Sequence, residues 1–447
     1  MKLVANRLQW LAFVAMLLML SLFSARLMPD ASAATAQTGT IAYTTGASVR
    51  LVEPDGSNDR LLWASPHPVD NGINGLAWRH DGTELAFISN HEASVSPYEQ
   101  DIYAIRPDGT GLRKLTNAPA HDALAGYPKG TVTVDVNVVS PGGGPYLVYV
   151  SGAPVGQTVS GAAPSTTRLT FTNVADFGAT QQPVVAVWGD RRWFNAASAD
   201  VQPGATVHAG TLTISGDGFW HFGVHADVLS WRSDDSRLGF IFGAGCEMRQ
   251  TAANPPAGMK DSPLLNPAVS GTTCLLDWAP LSARAGEILY TESNAFTGIG
   301  HIYLTSEGST GAGEPLINYP LPSAILDLEW LPDGSGFLFS YLDESYATAN
   351  IYAYTWGASS VTPLTSFTDE YAGSFSISPD GQNVVFERAA SLEDNPDLWV
   401  MAIDGSGLRL LVRDAGRPAW GSPSGGSEPP PPPVGDERVY VPFVVSR

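Results

Sequence analysis

Acidic, tyrosine and histidine side chains recur in the segments that connect the apolar stretches of this chain, and they are the residues best equipped for chemistry. The ligand-binding candidates are Asp70, His91, Glu92, Tyr98, Glu99, His121, Asp122, Asp343, Glu344, Tyr346, Asp369, Glu370, Tyr371, Glu393 and Asp394. Such a set can bind a cation, a basic peptide or a sugar, and two close carboxylates can also hydrolyse a glycosidic bond. The competing interpretation is that the loops of an acidic protein simply carry solvated charge. The sequence leaves both open.

Motifs for other chemistries are missing from the sequence. The chain has no G-x-S-x-G elbow, H-E-x-x-H pair, EF-hand loop, P-loop or dinucleotide-binding glycine fingerprint. A propeller that gates a peptidase domain is therefore disfavoured, because the nucleophile is missing. His208, His221 and His225 are spaced too loosely to predict a zinc site. We predict no catalytic residue, no metal and no cofactor, and we favour a protein that is not an enzyme.

The composition and net charge of the chain limit its fold class and the classes of partner it can bind. Of 447 residues, 44% are hydrophobic and 15% are charged, which is enough apolar material for a packed core. The net charge of -20 repels phosphate backbones, so nucleic acid is not expected as a partner. Forty-six Gly and 34 Pro among many Val, Thr, Tyr and Trp predict short strands separated by turns. The fold class is all-β.

The elements that must position the candidates form a repeat. An apolar strand ending in Trp or an equivalent residue leads through a tight turn into a second apolar strand. Copies are GLAWRHDGTELAFIS, VLSWRSDDSRLGFIF, DLEWLPDGSGFLFSY and SFSISPDGQNVVFER, which begin at Gly75, Val228, Asp327 and Ser374. Asp-Gly pairs supply the positive backbone dihedrals of a tight reversal. A third strand and a second such turn follow, so each repeat is predicted to be a four-stranded antiparallel unit.

The spacing of the repeats predicts a closed propeller. The first strands end at Trp78, Trp231, Trp278, Trp330, Ile377 and Trp420. The later spacings of 47, 52, 47 and 43 residues are typical of propeller blades. Arg417 begins a first strand without successors, whereas Thr40 begins three strands without a first. We predict a six-bladed β-propeller closed by pairing of its N- and C-terminal strands, which removes exposed edges.

These strand-Ser-Pro-Asp-Gly-strand units resemble the WD-like repeats of the TolB-type six-bladed propeller family. The resemblance covers about 300 residues and is specific for the fold, because several copies occur in register. It implies no particular activity, since such blades serve scaffolds, lyases and peptidase gates alike. The repeat that contains Trp278 departs from the pattern, because it lacks the Asp-Gly turn.

A separate domain is predicted between two repeats. Trp78 and Trp231 are 153 residues apart, about 100 more than the period allows. Residues 130–216 contain six short alternating segments, which favour an inserted immunoglobulin-like or transthyretin-like β-sandwich. A large irregular loop is the alternative, but loops of that length are uncommon. Residues 39–129 would then form blades 1 and 2, and residues 217–423 the rest of the propeller.

The N-terminus and the cysteines predict export. Lys2 and Arg7 precede the apolar run from Leu11 to Phe23, and small residues at 31–33 follow, so residues 1–33 are predicted to be a signal peptide. An uncleaved anchor is the alternative, and no later segment could span a bilayer. Cys246 and Cys274 are the only cysteines and are expected to form a disulfide in an exported protein. A metal or catalytic thiol is the alternative.

The C-terminal segment is a linker and a tail. Residues 424–437 are rich in Ser, Gly and Pro and are predicted to be a semi-rigid spacer. Residues 438–447 read RVYVPFVVSR, which resembles the tails of some exported bacterial proteins that are retained at the envelope. A terminal strand without an address function is an equal alternative.

Three functions remain in competition. The first is a secreted or envelope-associated, non-enzymatic binding or scaffold module for a protein or glycan partner, which uses the loop face that carries the candidates. The second is a carbohydrate-active hydrolase or lyase that uses the acidic residues of that face. The third is a structural spacer at the envelope.

Overall fold

The computed structural model describes residues 38–65, 73–89, 91, 100–116, 121–139, 145–162, 164–178, 182–188, 191–215, 224–242, 247–255, 265, 275–281, 284–294, 298–321, 324–356 and 360–422. The predicted signal peptide, both cysteines, the linker and the tail lie outside these residues. The described part is built from β-strands, with one 3-10 turn at His121–Gly126. Within it, no helix has the length and apolar character needed to cross a membrane.

Four-stranded antiparallel sheets account for most of the strands. Sheet 1, in the order β3-β2-β1-β30, contains β1 (Thr40–Thr45), β2 (Ser48–Val52), β3 (Arg60–Ala64) and β30 (Gly416–Gly421). Sheet 2 contains, in order, β4 (Asn74–Trp78), β5 (Leu85–Ser89), β6 (Asp101–Ile105) and β7 (Arg113–Lys114). As predicted, the first and last described strands pair in sheet 1, where Ile41 of β1 lies opposite Trp420 of β30.

Sheets 3 and 4 follow the same order. Sheet 3 contains β15 (Val224–Trp231), β16 (Arg237–Phe242) and β17 (Glu247–Ala252). Sheet 4 contains β18 (Leu276–Trp278), β19 (Glu287–Asn294), β20 (Ile299–Ser306) and β21 (Glu314–Pro320). Sheet 3 thus has three described strands rather than the predicted four. Leu265 donates its backbone N–H to Met248 of β17 at 2.8 Å, at the place of a fourth strand.

The remaining repeats form one eight-stranded sheet with two halves. Its first half, sheet 5, contains β22 (Ala324–Trp330), β23 (Gly336–Leu342), β24 (Ala349–Thr355) and β25 (Thr362–Pro363). Its second half, sheet 6, contains β26 (Tyr371–Ile377), β27 (Asn383–Ala389), β28 (Asp397–Ala402) and β29 (Arg409–Val412). The halves join where Ala349 of β24 pairs with Tyr371 of β26.

The predicted Asp-Gly turns form between the first and second strands. Gly82, Gly334 and Gly381 have φ values of +70°, +69° and +69°, a region that glycine enters without steric cost. In sheet 3 the equivalent position is Asp235, which adopts φ +55°. Its side chain has a separate role, described below.

Each sheet packs on the next through an apolar core. Buried clusters lie between sheets 1 and 2, 2 and 3, 3 and 4 and 5, 5 and 6, and 6 and 1. Strand alternation makes this possible, because successive side chains point to opposite faces. In β5, Leu85 and Phe87 face sheet 1, while Ala86 and Ile88 face sheet 3. The last sheet therefore packs on the first.

Residues 129–214 form two further sheets. One has the order β11-β8-β14, with β8 (Lys129–Val138), β11 (Ser165–Ala175) and β14 (Thr206–Ile214). The other has the order β10-β9-β12-β13, with β9 (Tyr146–Val150), β10 (Gln157–Val159), β12 (Gln182–Trp188) and β13 (Arg191–Ala199). Both sheets contribute to one apolar core, to which β8 gives four alternating valines. The sequence predicted six of these seven strands and missed β10, which is too short to show alternation.

Candidate functional site

A cavity of about 370 Å³ lies where the first strands of the six sheets converge. It is lined by residues of β4, β15, β18, β22, β26 and β30 and by the turns that follow them. Each first strand lies at an end of its own sheet or half-sheet, so one of its edges needs hydrogen-bond partners from elsewhere. Those partners come from the neighbouring sheet.

Indole groups provide one set of partners. Trp78 of sheet 2 donates its Nε1–H to the carbonyl of Ala419 in sheet 1, at 3.1 Å. Trp231 of sheet 3 donates likewise to Ala77 of sheet 2, at 3.1 Å. The recurrence of Trp at the ends of first strands therefore has a physical basis, because the indole joins one first strand to the one before it.

Trp278 departs from this arrangement. Its indole N–H is buried and has no hydrogen-bond partner within the described residues. The ring packs against Gly239 of β16, where a Cβ atom would come within 3.2 Å of it. The backbone N–H of Trp278 is bonded instead, to the hydroxyl of Ser230 at 2.9 Å.

Carboxylates provide a second set of partners. Asp277 of β18 accepts the hydroxyl proton of Ser230 in sheet 3 at 2.6 Å. Its other oxygen accepts the backbone N–H of Trp330 in sheet 5 at 2.7 Å. The Nε1–H of Trp330 also donates to the carbonyl of Asp277, at 3.2 Å. One aspartate thus connects sheets 3, 4 and 5.

Sheet 5 is joined to sheet 6 by two more carboxylates. Asp327 accepts the backbone N–H of Phe375 at 2.7 Å. Glu329 shares the backbone N–H of Ile377 between its two oxygens, at 3.2 Å each. Because side chains two positions apart on a strand share a face, Asp327 and Glu329 of β22 both reach toward β26.

These three carboxyl groups lie deep in the protein yet stay partly exposed, because all three line the cavity. Burial raises the pKa of Asp277 to about 6 and the pKa of Asp327 to about 7. Burial also raises the pKa of Glu329 well above its ordinary value, and the charges of Asp277 and Asp327 add to the rise. Carboxyl groups that titrate near neutrality are candidates for acid–base chemistry.

Sheets 6 and 1 meet through Glu387. Its oxygens accept the backbone N–H of Arg417 at 2.6 Å and that of Ser374 at 3.2 Å, and burial raises its pKa. Arg417 also lines the cavity, and burial lowers the pKa of its guanidinium to about 10. Trp420 adds a further bond by donating its backbone N–H to Ser376 at 3.0 Å.

An aspartate in the turn between the first and second strands of sheet 3 joins sheets 2 and 3. Asp235 accepts the backbone N–H groups of His80 at 2.9 Å and of Asp81 at 3.2 Å, and it contacts Nδ1 of His80 at 2.9 Å. Burial acts to raise the pKa of Asp235, but the bonds from His80 outweigh it and hold the pKa below its usual value.

The sequence-predicted candidates fall into three groups. Asp70, Glu92, Tyr98 and Glu99 lie outside the described residues, and His121 and Asp122 lie in the 3-10 turn, where only the backbone is described. His91 packs between Trp63 and Tyr103, with ring centroids 4.9 and 4.3 Å away, so it supports its own loop. The remaining eight candidates belong to sheets 5 and 6.

The connection from β23 to β24 is organised by Asp343. Its carboxylate accepts the hydroxyl proton of Ser345 at 2.9 Å and the backbone N–H of Ala347 at 3.0 Å. Burial acts to raise the pKa of Asp343, but these bonds outweigh it and the pKa lies below its usual value. Asp343 therefore shapes the loop instead of facing a ligand.

The structure brings three connections of sheets 5 and 6 together. Tyr371 donates its hydroxyl to the carbonyl of Tyr346, which links the β23–β24 connection to the start of β26. Glu370 pairs with Arg388 through two bonds of 2.9 and 2.6 Å, which ties that start to the end of β27. The guanidinium of Arg388 lies over the rings of Phe367 and Trp399, at 4.7 and 4.4 Å from their centroids.

Six of the exposed residues on these joined connections are acidic or large and partly apolar, and we call them the loop patch: Glu344, Tyr346, Asp369, Leu392, Glu393 and Asp394. Tyr346 and Leu392 are 47% and 55% exposed, which is high for large apolar side chains. Tyr346 also has φ +55°, a region that a bulky residue rarely adopts. Asp394 additionally accepts the hydroxyl proton of Ser391 at 2.8 Å.

His208, which the spacing argument left unassigned, lies near Asp135 and Thr133 on the β8–β14 surface, with Nε2 3.6 Å from the Asp135 carboxylate and Nδ1 3.1 Å from the Thr133 hydroxyl. His221 lies outside the described residues, and the side chain of His225 is not among them. In the described part of the chain, no three His, Cys, Asp or Glu side chains are grouped to hold a metal ion.

Sequence reasoning missed the cavity carboxylates. Asp277 and Glu329 each directly precede a Trp anchor, and Asp327 lies two positions before Glu329. An acidic residue inside an otherwise apolar first strand was the available signal. Candidates taken from the connections between strands do not include these residues, because they lie within the strands themselves.

No protein-family model and no curated protein matches the chain. Solved structures do match. TolB from Acinetobacter baumannii is similar over 86% of this chain and 67% of its own, at 14% identity and a TM-score of 0.46. A protein from Agrobacterium tumefaciens assigned as TolB covers 87% and 91%, at 13% identity and a TM-score of 0.33. Both matches are to TolB structures, the family that the repeats resemble, and they are likenesses of fold.

An enzyme is among the matches as well. An oligogalacturonate lyase solved in complex with manganese is similar over 84% of this chain and 86% of its own, at 11% identity and a TM-score of 0.37. At such identities the likeness concerns the fold alone, so no activity is transferred from it.

Proposed function

We propose that this chain is an exported six-bladed β-propeller with an inserted β-sandwich, and that it acts as a non-enzymatic binding or scaffold module for a protein partner at the cell envelope. The blade count is supported by six sheets that pack in sequence, each on the next, with sheet 6 packing on sheet 1. Two sheets with a common core support the sandwich. The signal-peptide pattern of residues 1–33 supports export.

The loop patch is the observation that carries the binding role. Its three connections are held together by the bonds of Tyr371 and Glu370, so the exposed side chains keep a fixed arrangement. The loop patch combines four carboxylates with exposed Tyr346 and Leu392, and exposed aromatic and aliphatic residues of this kind anchor protein partners. The chemistry fits a basic segment that also carries apolar side chains.

Binding to a cationic amphipathic peptide rich in Lys and Leu tests this proposal by fluorescence anisotropy with the mature chain. We expect the double variant E344Q/E393Q to weaken binding about three- to tenfold, because each exposed ion pair is worth up to about 1 kcal/mol. The matched control is D200N/E314Q, which removes two exposed carboxylates elsewhere. Equal weakening in both pairs would reduce the effect to net charge and defeat the proposal.

A polysaccharide array run in parallel separates the two partner classes. If a glycan binds and Tyr346→Ala abolishes that binding, the partner is a glycan and the protein assignment is wrong. If neither peptide nor glycan binds, the spacer function is favoured.

The alternative, a carbohydrate-active hydrolase or lyase, now has a more specific basis in the cavity. Asp277 and Asp327 line it and have pKa values raised toward neutrality. However, both oxygens of each already accept hydrogen bonds, which favours a structural role. Release of reducing ends or unsaturated products from a polysaccharide panel, lost in Asp327→Asn with its fold intact, would establish the enzyme.

A further inference from the structure

The junctions between neighbouring sheets are closed by two kinds of chemistry. Around sheets 6, 1, 2 and 3, arginines of the fourth strands reach across to backbone carbonyls of the next sheet, in addition to the bonds of Glu387 between sheets 6 and 1 and of Asp235 between sheets 2 and 3. Arg60 donates to Pro107 at 2.7 Å and Arg113 donates to Ala253 at 2.5 Å, and Arg409 bonds Pro54 in the same way. A guanidinium keeps its charge throughout the accessible pH range, so these bonds do not titrate.

At the junctions of sheet 5 with sheets 4 and 6, carboxylates of the first strands accept backbone N–H groups from the neighbouring sheet. Asp277 holds the backbone N–H of Trp330, Asp327 holds that of Phe375, and Glu329 holds that of Ile377. The backbone amides bonded in this way are those of Trp330, Phe375 and Ile377. Hydrogen exchange at these three amides therefore reports whether the junctions are closed.

The three carboxyl groups influence one another across the cavity. The charges of Asp277 and Asp327 both disfavour ionisation of Glu329, and Asp277 and Glu387 disfavour ionisation of Asp327. The other titratable or charged groups among the described residues that line the cavity are His80, which favours ionisation of Asp277, and the cations Arg79 and Arg417. Three like charges in a confined space repel each other more strongly than they do in the unfolded chain.

We propose that the junctions on both sides of sheet 5 form a proton-controlled seam, closed when Asp277, Asp327 and Glu329 are largely protonated and loosened when they ionise together. A protonated carboxyl group still accepts an amide proton, so closure survives protonation. Ionisation adds repulsion at these junctions, whereas the arginine bonds around sheets 1, 2 and 3 are unaffected. The inference concerns the ring and does not depend on the proposed binding.

The sign of the pH effect follows from linkage. The folded-state pKa values of these groups lie above their unfolded values, so the folded chain binds more protons. Their contribution to stability is present in full below about pH 4 and is lost as the pH rises through about 6 to 7. The seam should therefore be tightest in mild acid and weakest in mild alkali.

Amide hydrogen exchange followed by mass spectrometry tests the seam on the intact mature chain at pH 5.5 and 8.5, with rates normalised to intrinsic exchange. We expect protection of peptides that contain Trp330, Phe375 and Ile377 to fall at least about tenfold at the higher pH, one pKa unit's worth of linkage. Peptides from β1, β5 and β16 should change much less. Equal protection at both pH values, or a fall shared equally by all sheets, would overturn the proposal.

Glu329→Gln sharpens the test, because a glutamine oxygen can still accept the Ile377 amide while the titrating group is gone. We expect this variant to show a smaller loss of protection between the two pH values, and the matched control Glu314→Gln to behave like the unmodified chain. An unchanged loss in Glu329→Gln would contradict the role of the cluster. If that variant does not fold, the pH profile of the unmodified chain decides alone.

Discussion

The two edges of the sheets use carboxylates differently. At the turn edge, where first strands lead to second and third strands to fourth, the side chain of each turn aspartate accepts the backbone N–H two residues ahead. This holds for Asp55, Asp81, Asp108, Asp234, Asp333, Asp380 and Asp404, at 2.8–3.1 Å. At the opposite edge, the loop patch leaves Glu344, Asp369 and Glu393 exposed. Carboxylates thus close turns at one edge and are exposed to solvent at the other.

The difference teaches that local sequence context decides what a carboxylate does. An aspartate followed by glycine and then Ser or Thr closes its own turn, because the positive φ of glycine brings the next amide back to the side chain. A carboxylate in a longer connection lacks that geometry. Such a residue either supports its loop through several bonds, as Asp343 does, or remains exposed.

Removing the strand that closes the ring should have the largest effect. Truncation before Arg417 deletes β30 and leaves β1 with an unpaired edge, so turn and loop edges would both lose their order. We expect cooperative unfolding to disappear. The loss in the free energy of unfolding should be comparable with the whole stability of a domain, about 5–15 kcal/mol. Near-UV circular dichroism and size-exclusion chromatography measure this. A truncation that removes only residues 424–447 is the control and should leave the fold intact.

Two adjacent aspartates in one turn allow a comparison between hydrogen bonds that join two sheets and hydrogen bonds that only close the turn. Asp235→Ala removes the acceptor of His80 and Asp81 from sheet 2, so we expect a loss of about 2–4 kcal/mol in the free energy of unfolding. Asp234→Ala removes only bonds within its own turn, to Ser236 and Arg232, and should cost about 1 kcal/mol. Urea denaturation measures both. Equal losses would show that Asp235 does not join the sheets.

A pair of substitutions compares the edges directly. Asp380→Ala at the turn edge removes bonds to Ser378 and Gln382, and we expect it to cost about 1 kcal/mol. Glu393→Ala in the loop patch removes an exposed side chain and should change stability by less than about 0.5 kcal/mol. Thermal unfolding of the two variants side by side provides the measurement. A destabilising Glu393→Ala would mean that the loop edge is also built for folding.

Tyr346→Gly should have the smallest effect on stability and the clearest effect on recognition. Glycine relieves the positive φ of this position but loosens the unfolded chain, so the two contributions nearly cancel, to within about 1 kcal/mol. The exposed ring is lost, so binding of the cationic peptide should weaken. Tyr346→Phe retains the ring and is the control. Binding that survives Tyr346→Gly would remove the tyrosine from the proposed surface.

Sequence periodicity predicted much of the fold. The Trp anchors, the Asp-Gly turns and the incomplete repeats at the two ends predicted the strand order and the pairing of β1 with β30, because these depend on alternation and turn chemistry within short segments. Strand β10 escaped prediction for the opposite reason, since three residues cannot display a period. Sheet 3 has no Asp-Gly turn, yet Asp235 adopts the same backbone geometry because its side chain is held by sheet 2.

The candidate site was predictable only in part. The sequence by itself determined that Glu344, Tyr346, Asp369 and Glu393 lie in connections on one edge, because strand order fixes the edge at which each connection lies. Tertiary structure decided that three of those connections meet, through Tyr371 and Glu370. It also decided that Asp277, Asp327 and Glu329 share one cavity. Residues from separate repeats become neighbours only when the ring closes, and no local pattern encodes that distance.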